Sequence, residues 1–193
     1  MYLDGISDEL DAISGAPDAE YRIATYRRKL AEFPAGHAER AEYLTYLADD
    51  LTAKGDLEEA RETYEAAIAD GGKTTLNPRS GMLTVALRSG DEAWITEMLD
   101  TLMQLSRKDG LVIGDYGWIG EALEESGRFR EALRWFTIPL RDLQPGHVDR
   151  LPLICLNGRY RTRRELGMPL DAYDDAHDMW IRLDTQLDEP NEP

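Results

Sequence analysis

The chain has 193 residues and carries 22 Lys and Arg against 38 Asp and Glu, a net charge of −16, with 42% of its residues hydrophobic. That length and composition suit one globular domain or one short repeat array with a sizeable core, and they exclude wholesale disorder. The acidic balance argues against a nucleic-acid partner, because phosphates repel such a surface, and the lone cysteine, Cys155, excludes an internal disulfide or a multi-cysteine zinc site.

The N-terminal stretch from Met1 to Leu10 holds acids where a secretory signal needs positive charge. No apolar run approaches the roughly 20 residues of a membrane span, so a cytoplasmic protein is expected and no membrane partner. From there the apolar spacing is helical: Leu3, Ile6, Leu10 and Ile13 step by three or four, as do Ile23, Tyr26, Leu30 and Phe33, and later Ile113, Tyr116, Ile119 and Leu123. The predicted helices run over 4–14, 18–32, 37–54, 57–70, 78–89, 91–107, 113–126, 129–143, 148–166 and 169–187. Leu111-Val112-Ile113, the only strand-like run, reads as a loop entering a helix, and residues 188–193 read as a disordered tail.

Gly15, Gly55, Gly90, Gly127 and Gly167 each follow a periodic segment, as stop glycines do, and recur every 35 to 40 residues. Paired helices at that period cannot bury their faces alone and must stack. The expectation is an all-α fold, with 1–187 forming a single repeat domain.

Aligning Gly55 with Gly127 brings two units into agreement. Leu44, Leu47, Ala48 and Leu51 match Tyr116, Ile119, Gly120 and Leu123; after the turn, Leu57, Ala60 and Tyr64 match Phe129, Ala132 and Phe136. This pattern resembles the tetratricopeptide repeat (TPR). Small residues let paired helices approach closely, while Tyr64 and Phe136 fill the gap towards the next unit. The resemblance implies a right-handed α-solenoid of about five stacked helix-turn-helix repeats whose concave groove binds a peptide or protein segment, as an adaptor, scaffold or regulator. It covers 37–143 by motif and the remainder by spacing.

Chemistry-bearing motifs are few. Gly114, Gly117 and Gly120 lack the dinucleotide-loop spacing and read as helix packing. Asp174, His177 and Asp178 share a helix face, but no second ligand cluster accompanies them. No nucleophile motif surrounds a Ser, and Cys155 reads as a packed small residue. No enzyme activity, cofactor or metal is therefore expected. Charge is the least ordinary feature: residues 128–164 hold nine arginines against Glu131, Asp142 and Asp149. These arginines either pair with acids of neighbouring repeats or form an anion-binding groove. By the TPR alignment, Asn157, Arg161 and Arg164 lie on the groove side, with Arg159 and Arg163 on other faces. The partner expected is a protein or peptide with an acidic segment. Glu42, Thr45 and Asp49, on the groove side of the better repeat, argue against a carboxylate ligand there. The alternatives are a self-associating structural protein, in which acidic N-terminal repeats meet the basic 128–164 region of another copy, and an enzyme or small-ligand sensor built on the concave face.

Overall fold

The structure, a computed structural model, describes residues 6–34 and 36–187. The expected tail at 188–193, Leu3, and residues 4 and 5 of the first predicted helix lie outside them. Every regular element among the described residues is helical: α1 (Ile6–Ser14), α2 (Ala19–Glu32), α3 (Arg40–Lys54), α4 (Leu57–Asp70), α5 (Pro78–Ser89), α6 (Glu92–Ser106), α7 (Ile113–Glu125), α8 (Phe129–Thr137), α9 (Leu153–Glu165) and α10 (Ala172–Leu187), with 3-10 turns at Ile138–Leu140 and Val148–Arg150. The helices group into two compact units, Met1–Leu111 and Val112–Pro193.

Prolines shorten two of the predicted helices. The segment 129–143 stops being α-helical at Thr137, because Pro139 has no N–H for the Trp135 carbonyl and the chain tightens into 3-10 geometry. The segment 148–166 is interrupted at Leu151, which is extended with ψ 131° as the residue before Pro152 must be. Helix α10 starts at Ala172 rather than 169, where Asp171 accepts from the Tyr173 N–H at 3.0 Å and Asp174 accepts from the Asp171 N–H at 2.9 Å.

Within each unit the same joints recur. Four of the five stop glycines, 55, 90, 127 and 167, take the left-handed backbone that ends a helix without a Cβ clash; Gly15 does not. Three turns close identically, with the N–H of Asp56, Arg128 and Met168 donating to the carbonyl of Leu51, Leu123 and Arg163 at 3.0, 2.8 and 3.0 Å. Ala48, Ala60 and Ala132 are fully buried between paired helices. In the first unit Tyr64 of α4 wedges against α5, where a methyl on Gly81 would overlap the phenol ring. In the second, Phe136 of α8 is clasped between Gly120 of α7 and Gly158 of α9, and a methyl on either would overlap the ring. Both rings are essentially inaccessible to solvent.

Candidate functional site

The arginine-rich helix α9 divides its charges by helical position. Arg159 and Arg163, four residues apart, both turn into the protein and are only 6% and 7% exposed. Arg159 forks onto Asp171, Nη1 to Oδ1 at 3.1 Å and Nη2 to Oδ2 at 2.6 Å. Its guanidinium also lies 4.8 Å from the centre of the Tyr173 ring. Arg163 donates from Nε to Asp174 Oδ2 at 3.0 Å and from Nη2 to the Pro169 carbonyl. Asp174 is itself 3% exposed, so these groups form a buried ionic clasp fastening the start of α10 to α9. Burial alone would raise the Asp171 pKa, but Arg159, the Tyr173 N–H and Arg163 hold it below the ordinary carboxylate value.

The three residues expected on the groove side lie along another face of α9, and they differ in state. Arg161 is half exposed but already engaged: Nη2 and Nε donate to Glu124 of α7 at 2.8 and 3.2 Å, and Glu121 lies 3.8 Å away. Arg164 is exposed, its guanidinium 5.8 Å from the Tyr160 ring, and it forms no ion pair among the described residues. Asn157 is half-buried, and its Oδ1 is withdrawn from solvent without a hydrogen-bond partner.

Sequence reasoning missed the apolar part of this face. Ile154 of α9 leans over Gly117 of α7, where a Cβ would lie 2.5 Å from its Cδ1. Ile113, one turn before Gly117, is 48% exposed and Ile154 is 40% exposed. Trp118, three residues before Glu121, stands at the edge and is also exposed. The α7/α9 face therefore has an apolar end at Ile113 and Ile154 and a charged end at Glu121, Glu124 and Arg161. Burial pushes Glu121 above its usual pKa while Arg161 pulls it down. Cys155 lies beneath this layer, its thiol pushed up to about 12 by burial and by the Glu121 charge, which keeps it protonated and unreactive.

In the first unit the corresponding residues are turned to structural use. Glu42 and Thr45 are buried. Glu42 accepts from the Thr75 N–H at 2.9 Å and from the Thr75 hydroxyl at 2.5 Å, as the α4–α5 loop folds over it. Asp49 accepts the Tyr64 hydroxyl, and burial pushes its pKa up to about 7, opposed by that hydrogen bond and reinforced by Asp50 and Glu42. The expectation that Glu42 and Thr45 line an open groove is thus corrected: loop and helix cover them.

The acidic group around His177 is likewise absorbed. Asp174 belongs to the clasp, and the His177 ring stacks on Tyr160 with centroids 3.9 Å apart. Among the described residues no three His, Cys, Asp or Glu side chains are grouped to hold a metal, and no helix is long and apolar enough to cross a membrane. No protein-family model matches the chain, and no curated protein or solved structure is significantly similar to it.

Proposed function

We propose that this chain is a TPR-like helical-repeat module, a right-handed α-solenoid of about five repeats, that binds a peptide or protein segment on the α7/α9 face and acts in the cytoplasm as an adaptor, scaffold or regulator rather than as an enzyme. The observation that carries the reading is the pair of half-exposed isoleucines, Ile113 and Ile154, beside Arg161 and exposed Arg164 on the same helix. Covering each isoleucine contributes about 1 kcal/mol from the apolar area removed from water.

The charged end is far less positive than the nine arginines suggest, because Arg159 and Arg163 are consumed by the clasp and Arg161 by Glu124. Arg161 uses two of its five N–H donors on Glu124. Its remaining donors and Arg164 set a preference for an acidic residue in the segment bound.

A photo-crosslinking residue at position 154, compared with the same residue at exposed Glu97 on α6, tests this in extract of the native cell. A discrete adduct at 154 only, lost when Arg161 and Arg164 are both changed to Glu with helicity retained, supports the site. Equal labelling at both positions, or an adduct indifferent to the two arginines, sinks it.

A further inference from the structure

The three helix-ending turns that close alike differ in the side chains that meet across them. A turn of this kind brings together the two residues joined by its outer hydrogen bond, usually as an apolar pair. The first two turns join Leu51 to Asp56 and Leu123 to Arg128. The third joins Arg163 to Met168, and there the side chains touch as well: Arg163 Nη1 donates to Met168 Sδ at 3.9 Å. Arg163 spends Nε on Asp174, and Nη2 on the Pro169 carbonyl and Asp171. Among the described residues Nη1 is left with a thioether, which is a weak acceptor, although Arg163 belongs to the buried clasp.

Met168 is also open to reagents. It is 39% exposed, whereas Met82 and Met98 are buried and Met103 is half-buried. Met179 is exposed too, but its sulfur accepts no hydrogen bond among the described residues. Thioethers that solvent reaches are the ones oxidised to sulfoxide. Hydrogen peroxide supplies the oxygen. A sulfur lone pair takes one peroxide oxygen, the O–O bond breaks, and the proton of the transferred hydroxyl ends on the departing oxygen, which leaves as water. Sulfur loses two electrons and the peroxide gains them. The sulfoxide oxygen is a strong acceptor and reaches one bond further than the sulfur that bears it.

We propose that Met168 is a peroxide-sensitive modification site whose sulfoxide fastens α10 more firmly to α9. The sulfoxide oxygen takes the place of the thioether opposite Arg163 Nη1 and turns a weak contact into a charge-assisted hydrogen bond. Methionine oxidation usually loosens a protein, because it puts a polar group into apolar packing. Here the new polar group meets a guanidinium that lacks a good acceptor at one nitrogen. Arg163 also holds Asp174 and the Pro169 carbonyl, so fixing its position secures both the loop before α10 and the first turn of that helix. The site involves neither Ile113 nor Ile154, and it goes beyond the peptide-binding reading without depending on it.

Hydrogen exchange read by mass spectrometry tests this, in protein carrying Met179→Leu so that oxidation of the other exposed methionine does not intrude. Dilute hydrogen peroxide should add one oxygen to Met168 before Met82 or Met98 reacts, as peptide mapping will show. The α10 amides should then exchange about tenfold more slowly than in the reduced protein, while those of α7 keep their rate. Met168→Gln, whose amide oxygen stands in for the sulfoxide, should show the slow exchange without peroxide. Met168→Leu should show the fast exchange with or without it. A Met168 still unoxidised when Met82 or Met98 has reacted overturns the proposal. So do α10 amides that exchange as fast or faster once Met168 is oxidised, and a Met168→Leu protein that peroxide slows to the same degree.

Discussion

Tyr64 and Phe136 hold equivalent wedges in the two units, and one hydroxyl separates their surroundings. Phe136 needs only room, supplied by Gly120 and Gly158 on either side. Tyr64 needs room at Gly81 and also an acceptor, and Asp49 supplies it from α3. The residue matching Asp49 in the second unit is Glu121, which has no hydroxyl to serve and faces Arg161 instead. The apolar wedge therefore leaves its neighbouring helix face available for contact, whereas the phenolic wedge draws an acidic side chain inward and gives it an abnormal pKa. A polar group in a core commits a second residue to satisfying it.

The largest way to disturb this contrast lies at the Arg159–Arg163 clasp of the second unit. Asp174→Ala leaves buried Arg163 with only Asp171, 3.2 Å away, and chemical denaturation should show a loss of about 3 kcal/mol. A loss below about 1 kcal/mol would mean that α10 contributes little to the fold.

The Asp49 carboxyl gives the next effect, a few kcal/mol at most. Its folded pKa is raised to about 7 from an unfolded value near 4, so the folded state holds the proton more tightly. Stability from this group is greatest below pH 4 and falls as pH rises towards 7. Asp49→Asn should remove that decline, so the variant should gain on the parent between pH 4 and 7 and keep its advantage at pH 8. Parallel stability–pH curves for the two proteins would place Asp49 in solvent. Combining Tyr64→Phe with Asp49→Ala removes both the hydroxyl and its acceptor and should flatten the same region.

Smaller still are the glycine contacts. Gly158→Ala should cost about 1–3 kcal/mol, because the methyl meets the Phe136 ring. Gly117→Ala should cost less, since it meets only the end of Ile154. Equal melting temperatures for all three proteins would refute the wedge. Smallest is Arg161→Gln, which removes a half-exposed pair and should change stability by no more than about 1 kcal/mol; a larger loss in a thermal melt would make Arg161 structural.

Helix identity was legible in the sequence because stop glycines and apolar spacing act locally, and the small–aromatic pairs identified the wedges for the same reason. The errors sit at Pro139 and Pro152, where an apolar period continues across a residue that cannot continue the helix. The clasp had a local signal, Asp171 and Asp174 three apart at a helix start and one turn past Gly167, but Arg159 and Arg163 looked like surface charge until α10 was folded onto them. The Arg161–Glu124 pair spans 37 residues and follows from the relative rotation of α7 and α9, which no composition encodes. Ile113 and Ile154 were hidden because each belongs to an ordinary apolar run, and only the packing left them half uncovered.

Helix α10 buries just Asp174 and Ala176 among its described side chains from 172 to 183, while Met179, Ile181 and Leu183 stay exposed. It is moored by charge at its first turn rather than by an apolar seam. Native-state proteolysis should find it opening as one segment, well below the free energy of global unfolding, with the exposed stretch 167–170 as the scissile hinge. Acid strong enough to protonate Asp171 would slip the mooring while the Phe136 wedge stays shut, so this end of the chain should detach before the rest of its unit unfolds.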